Sequence, residues 1–218
     1  MRKNLMVVAF ALVMALCVAG FASASSLAVN GAAAMNGTTF GLQVNQTAAA
    51  TDAYVESTHP VFETHYLMRF WVNPSGLPIA EGAAGTNHLR FFRLNDQADG
   101  GDPIPRGTFL VGFFTKSPVD HEYHLIIWAK QDGATAFTSV GNLFIGSAPS
   151  QIETEFTAAD SGTTSVVMKK LNTAQVITRS DLNLGDADVD FIDVGTFTNS
   201  NPSGIAGNYF FDEFESYR

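Results

Sequence analysis

Two short groups of residues have types and spacings that could support catalysis. Glu153 and Glu155 alternate along one stretch, so both carboxylates would share a strand face, as an acid and a nucleophile do in glycoside hydrolysis. Residues 212–215 contain a second acidic pair of this kind. His121 and His124 are three residues apart at the start of a predicted strand, whereas the zinc-protease motif places two histidines four apart on a helix. This spacing therefore indicates loop and strand-edge histidines.

An acidic segment is the sequence's own candidate for a cation site. Asp186, Asp188, Asp190 and Asp193 offer oxygen ligands at short intervals, which resembles the start of a calcium loop. The sixth position of such a loop requires glycine, and this chain has Phe191 there. The sequence therefore favours an acidic turn that leads into a strand.

The first 24 residues are typical of an export signal. They join Arg2 and Lys3 to an apolar run over residues 5–21 and end in a small-residue cleavage site at residues 22–24. We expect cleavage after residue 24 and a periplasmic or extracellular location; an uncleaved anchor helix is the alternative. Cleavage would remove the single cysteine, Cys17, and leave neither a disulfide nor a thiol nucleophile.

Charge and hydropathy narrow the range of partners. The chain carries 21 acidic and 12 basic residues, for a formal net charge of −9, which argues against a nucleic-acid partner. After residue 24 no apolar run approaches membrane-spanning length, so we expect no transmembrane segment once the signal is removed.

The rest of the chain has the pattern of an all-β protein. Short runs rich in β-branched and aromatic residues recur between clusters of Gly, Pro, Asn, Asp and Ser, and no long helical period is present. Twelve strands in one domain, residues 25–218, predict a two-sheet antiparallel β-sandwich. The predicted strands are residues 40–44, 53–56, 64–72, 88–94, 108–115, 123–130, 137–145, 151–157, 165–170, 175–178, 189–194 and 208–215.

Alternation along these strands indicates a mixed polar and aromatic second face. Aromatic rings stack on sugar rings while basic and polar groups bind hydroxyls, so such a face predicts a sugar-binding surface. If the strands are neighbours, the following residues form one ligand-binding patch: Arg69, Trp71, His88, Arg90, Trp128 and Lys130. The alternative is that both tryptophans are buried by the other sheet or by a covering loop.

Three segments resemble a known family. Residues 53–60 (AYVESTHP), 63–74 (ETHYLMRFWVNP) and 208–216 (NYFFDEFES) are similar to exported bacterial concanavalin A-like, or laminin-G-like, jelly-roll domains. The resemblance implies a jelly roll that can hold a structural calcium between its first and last strands, which nominates Asp212 with Glu56. Sugar-hydrolysing members carry a Glu-x-Asp-x-x-Glu strand. This chain lacks that motif, which favours a non-catalytic protein and leaves an enzyme as the open alternative.

Three functions follow as hypotheses. The first is an exported, non-catalytic jelly roll that binds a polysaccharide, a cell-surface glycan or another extracellular surface component. The second is a structural or adhesive component of an extracellular assembly that uses its sheet edges or a surface patch. The third is a divergent polysaccharide hydrolase or lyase that uses Glu153 or Glu155. These hypotheses specify neither which sugar is bound nor the oligomeric state.

Overall fold

The computed structural model describes residues 24–48, 51–58, 63–82, 87–96, 107–197 and 204–217. These residues form thirteen strands and one 3-10 turn, Gly31–Ala33. The strands are β1 Ser26–Asn30, β2 Gly41–Gln46, β3 Ala53–Thr58, β4 His65–Asn73, β5 His88–Asp96, β6 Gly107–Lys116, β7 Tyr123–Ala129, β8 Thr138–Phe144, β9 Ser150–Thr157, β10 Val166–Lys170, β11 Gln175–Arg179, β12 Phe191–Thr196 and β13 Gly207–Tyr217.

All twelve predicted strands are present, with ends within two residues of those expected. The sequence pattern missed β1, a short and alanine-containing strand. The predicted export signal lies outside the described residues except for Ala24.

The strands make two antiparallel sheets. One has seven strands in the order β1-β2-β13-β4-β9-β10-β11, and the other has six in the order β3-β12-β5-β6-β7-β8. The predicted all-β, two-sheet antiparallel sandwich is therefore confirmed. Between β4 and β5 the chain passes from the seven-stranded to the six-stranded sheet.

Strict alternation in β4 shows how the sequence assigns its two faces. Tyr66, Met68, Phe70 and Val72 are all buried in the core, whereas the residues between them are exposed or half-buried. A period of two places successive side chains on opposite faces of a sheet, so the apolar set faces the other sheet and Arg69 faces outward.

Phenylalanine rings fill the space between the sheets. The ring of Phe70 in the seven-stranded sheet lies 6.2 Å from that of Phe91 in the six-stranded sheet, and 5.9 Å from that of Phe211 beside it. Phe91 in turn stacks on Phe114, with centroids 4.0 Å apart. Edge-to-face and stacked contacts of this kind add to the free energy gained by burying the rings.

A β-bulge in β5 breaks the expected alternation. The register passes from Arg90 opposite Phe113 to Phe92 opposite Gly112, so β5 carries one extra residue there. Phe91 and Phe92 are consequently both buried. Strict alternation along β5 predicts that Arg93 and Arg90 point to opposite faces of the sheet, and this prediction is wrong. Beyond the bulge the faces exchange, so both arginines point outward.

Gly112 is the residue that makes room for the bulge. A Cβ atom at this position would lie 2.0 Å from Cε1 of Phe92. We expect Gly112→Ala to lower the free energy of unfolding by about 1–3 kcal/mol, because the ring must leave its packed position. Denaturant unfolding of the purified protein measures this. Gly31→Ala is the control, since the nearest atom to its new Cβ is 3.6 Å away; equal effects of the two substitutions would contradict the packing account.

Candidate functional site

The structure divides the predicted ligand patch between two faces. Arg69 and Trp71 lie on β4, on the outer face of the seven-stranded sheet. His88 and Arg90 on β5, together with Trp128 on β7, lie on the outer face of the six-stranded sheet. Lys130 directly follows β7. The six residues therefore do not form one patch, because β4 and β5 belong to different sheets.

Opposite charges on neighbouring strands pair across the seven-stranded face. Glu153 on β9 accepts hydrogen bonds from Arg69 Nη2 at 2.6 Å and from Lys169 Nζ at 2.6 Å. Glu155 contacts His65 Nε2 at 3.0 Å and Lys169 at 4.0 Å. We call these five residues, with Glu215 at 3.9 Å from Arg69, the charge ladder.

The ladder keeps Glu153 ionised. Burial alone would raise the pKa of Glu153, but hydrogen bonds and positive charge from Lys169 and Arg69 lower it below its ordinary value. The same hydrogen bond raises the pKa of Arg69. A general acid in sugar hydrolysis needs a raised pKa, so this environment is the reverse of the one that a general acid at Glu153 would require.

The outer face of the six-stranded sheet carries aromatic rings around one cation. Phe113 lies at the centre, with its ring centroid 4.6 Å from that of His88 and 5.1 Å from that of Trp128. The Arg90 guanidinium carbon lies 5.5 Å from the Phe113 centroid. We call these four residues the aromatic platform. Phe113 is buried and the other three are half-buried, so Phe113 supports a surface that the other three present.

Arg90 differs from its neighbour Arg93 in having no anionic partner among the described residues. Arg93 donates to Asp193 Oδ2 at 2.6 Å and stacks at 4.5 Å over Phe197. Among the residues that the structure describes, none accepts a hydrogen bond from the buried Nε atom of Arg90 and no carboxylate lies within ion-pair distance of its guanidinium. Burial, and secondly the charge of Arg93, lower the pKa of Arg90. Burial thus removes part of the hydration that stabilises this charge in water.

The two residues nominated as calcium ligands lie on different sheets. Glu56 is an exposed residue of β3, whereas Asp212 lies on β13. Asp212 Oδ2 accepts from Met35 N at 2.6 Å and from the Thr38 hydroxyl, and its Oδ1 accepts from Glu213 N at 2.9 Å. Asp212 therefore holds the turn after the 3-10 segment.

A different carboxylate cluster has the geometry of a cation site. Within the described parts of the chain, Asp96, Asp188 and Asp190 are the acidic or histidine side chains that meet in a group of three, with ligand atoms within 4.8 Å of one another. Asp190 N donates to Asn95 O at 3.0 Å, which brings the two segments together. The sequence pattern pointed to Asp188 and Asp190 but missed Asp96, which only strand pairing brings close.

The histidines near β7 belong to separate contacts. His124 contacts Asp120 Oδ2 at 2.9 Å and Asn142 Oδ1 at 2.7 Å, whereas His121 contacts Glu81 at 2.9 Å. This is the loop and strand-edge arrangement predicted from their spacing.

Comparison with solved structures identifies the fold. The chain is similar to the cellulose induced protein Cip1, with a TM-score of 0.55 and 13% identity, covering 89% of this chain and 86% of that one. It is similar to an endo-β-1,4-glucuronan lyase from the fungus Trichoderma reesei, with a TM-score of 0.55 and 11% identity, covering 89% and 87%. The chain thus has the concanavalin A-like jelly-roll fold expected from its sequence.

No protein-family model and no curated protein sequence matches this chain. In the part of the chain that the structure describes, no helix is long and apolar enough to cross a membrane.

The charge ladder predicts an acid-sensitive contribution to stability. A carboxyl group whose pKa is lower in the folded than in the unfolded state stabilises the fold above its unfolded pKa, and this contribution is lost as the pH falls. Glu153→Gln should therefore lower the free energy of unfolding by about 1–2 kcal/mol at neutral pH and flatten its dependence on pH in the acid range.

Denaturant unfolding across a pH series measures both effects. Glu155→Gln on the same strand is the control, because the Glu155 side chain is 31% exposed and we expect a change within about 0.5 kcal/mol. A Glu153→Gln variant whose stability falls with acidity as steeply as that of the parent would contradict the assignment.

Proposed function

We propose that this chain is an exported protein that binds an acidic polysaccharide on the aromatic platform without cleaving it. One observation carries the proposal: Arg90 is a half-buried cation with no carboxylate partner among the described residues. An anionic group on a ligand would restore the favourable interactions that burial removes from this guanidinium. The surrounding rings of His88 and Trp128 offer the apolar surface on which a sugar ring stacks.

The fold is compatible with this proposal, although it does not select a ligand. One protein with a similar fold is a glucuronan lyase, so a sheet of this architecture can hold a polysaccharide. The export signal would deliver the chain to the compartment where such polymers occur. The paired state of Glu153 and the missing Glu-x-Asp-x-x-Glu strand favour binding without hydrolysis.

The aromatic platform is favoured as the ligand site over Arg69 and Trp71, which lie on the outer face of the other sheet. A ligand that used Arg69 would have to displace the carboxylate of Glu153, which is hydrogen-bonded at 2.6 Å. A ligand that reaches Arg90 displaces no described ion pair. Displacing Glu153 from Arg69 is costly because it leaves a largely buried carboxylate with fewer partners.

Binding of polyglucuronate, measured by isothermal titration calorimetry with the purified protein, tests the proposal. Arg90→Gln should weaken the affinity about tenfold, because it removes a charge-assisted contact. The two tryptophans provide a matched pair: Trp128→Ala should weaken binding by a similar factor, and Trp71→Ala should leave it unchanged. A neutral glucan and the non-sugar polyanion polyglutamate are the ligand controls.

Each alternative gives a distinct result. Loss of binding only in Trp71→Ala would move the site to the seven-stranded face. Equal binding of polyglutamate and polyglucuronate would show that the protein recognises only the negative charge of the polymer. No binding to any polysaccharide would refute the proposal and favour the structural or adhesive alternative.

We further propose that Asp96, Asp188 and Asp190 hold a structural calcium ion. Calcium prefers hard oxygen ligands and takes about six to eight of them, so backbone carbonyls or waters would complete the set. Asp96 is fully buried and Asp190 is 7% exposed, which suits a site inside the fold better than exposed Glu56 does.

Thermal unfolding with calcium and with a chelator tests this ion. Calcium should raise the melting temperature of the parent, and Asp188→Asn should abolish the shift, because a ligand that binds only the folded state stabilises it by mass action. Asp186→Asn is the matched control, two residues away in the same turn and outside the cluster. A parent melting temperature that is the same in calcium and in chelator would exclude the site.

A further inference from the structure

The sandwich is closed along one side. There β8 and β11, which belong to different sheets, pack against each other so tightly that a Cβ atom on Gly141 would lie 2.6 Å from Cγ2 of Ile177. Arg179 Nη1 donates to the carbonyl oxygens of Ser139 at 2.8 Å and Val140 at 3.1 Å. Side chains and hydrogen bonds thus join the two sheets at this side.

The opposite side contains a cavity between the sheets. It has a volume of about 280 Å³ and lies between β1, β2 and β13 of one sheet and β3 and β12 of the other. Its walls are almost entirely apolar, and the principal side chains are Val29, Leu42, Val55, Val194, Phe211 and Phe214. We call it the edge cavity.

Core-facing residues at this cavity remain in contact with solvent. Val29 pairs with Leu42, and Val55 pairs with Val194, which is buried, so both valines point toward the space between the sheets. Val29 is nevertheless 73% exposed and Val55 is 50% exposed. Apolar surface on an inner face is normally covered, so this part of the interior is incompletely filled.

The rim of the edge cavity is acidic. A register shift between Asp212 and Glu215 inserts one extra residue into β13, and Glu213 adopts a φ of 48° there. Glu213 lines the cavity with an exposed carboxylate, which accepts from Asn36 Nδ2 at 3.1 Å. Asp212 lines it too, but its buried carboxylate is hydrogen-bonded to Met35 N, Thr38 and Glu213 N. Among the described lining residues none is basic. Left-handed backbone at a residue other than glycine is strained and often marks a functional site.

We infer that the edge cavity binds one alkyl chain that carries a cationic head group. The volume and apolar walls fit a single flexible alkyl chain, since sites for small apolar ligands are concave and lined mainly by hydrophobic side chains. The exposed carboxylate of Glu213 at the rim favours a positive head and opposes a fatty acid. A glycan would find almost no hydrogen-bonding groups on these walls.

Self-association through the same side is disfavoured by charge. A second copy that met this side about a twofold axis would bring its own Asp212 and Glu213 toward the same residues. Like charges at such an interface repel, so a small amphiphile suits the rim better than a second copy does.

Titration with decyltrimethylammonium below its micelle concentration, followed by calorimetry, tests this inference. We expect saturable binding of one molecule per chain, and at least tenfold weaker binding of decyl sulfate, which has the same chain and the opposite charge. Tetramethylammonium, the head group alone, should not bind measurably. Glu213→Gln should narrow the difference between the two amphiphiles.

A pair of matched valine substitutions locates the site. Val55→Trp places an indole in the edge cavity and should weaken binding at least tenfold. Val176→Trp alters a valine of similar exposure, 54%, on edge strand β11 at the closed side, and should leave binding unchanged. Circular dichroism of both variants controls for folding. Because Val55 and Val176 lie outside the aromatic platform, polyglucuronate binding should be the same in both.

Three results would overturn the inference. Amphiphile binding that is absent, or that Val55→Trp and Val176→Trp reduce equally, would mean that the edge cavity is not the site. Tighter binding of decyl sulfate would contradict the role of the acidic rim. If light scattering showed a dimer that Val55→Trp dissociates, the side with the edge cavity would be an interface between copies instead.

Discussion

Contact between the inner faces of the two sheets is the interaction on which the rest of the structure depends. Phe70 of one sheet packs against Phe91 of the other, and Phe114 stacks on Phe91 at 4.0 Å, so aromatic rings join the aliphatic side chains that fill the space between the layers. The only cysteine lies in the predicted export signal, which leaves no disulfide to replace this burial. Successive side chains of a strand point to opposite faces of the sheet. The residues that fill the core therefore determine which of their neighbours in sequence reach solvent.

Arg69 and Arg90, which lie on the two different outer faces, differ in how their charges are compensated. On the seven-stranded sheet, Arg69 and Lys169 both hydrogen-bond to Glu153, so its charges are compensated within the fold. On the six-stranded sheet, Arg90 lies over an aromatic ring without a described anion nearby. A ligand that uses Arg69 must break ion pairs, whereas at Arg90 it adds an interaction that no described residue provides. This difference in desolvation, rather than the number of aromatic residues, favours the six-stranded face.

Local pattern predicted the faces of strands but not their neighbours. The alternation of β4 correctly placed Met68 and Phe70 inside and Arg69 outside. In β5 the extra residue at the bulge buried both Phe91 and Phe92, and nothing in the local sequence distinguishes that outcome from strict alternation. The sequence analysis wrongly predicted a single patch and failed to identify Asp96 as part of the carboxylate cluster, and both errors have the same cause. Which strands adjoin, and in which sheet, depends on contacts between residues far apart in sequence, and those contacts leave no periodic signal.

The bulge in β13 shows how one inserted residue serves both sides of a sheet. Asp212 lies opposite Trp71, so an unbroken register would set Glu213 opposite Phe70 and direct a carboxylate into the aromatic core. The left-handed backbone at Glu213 absorbs the extra residue, and Phe214 instead stacks on Phe70, with centroids 6.4 Å apart. The same shift sets Glu215 opposite Arg69, where it joins the charge ladder. A single strained residue therefore keeps charge out of the core, supplies the acidic rim of the edge cavity and extends the ion pairs of the outer face.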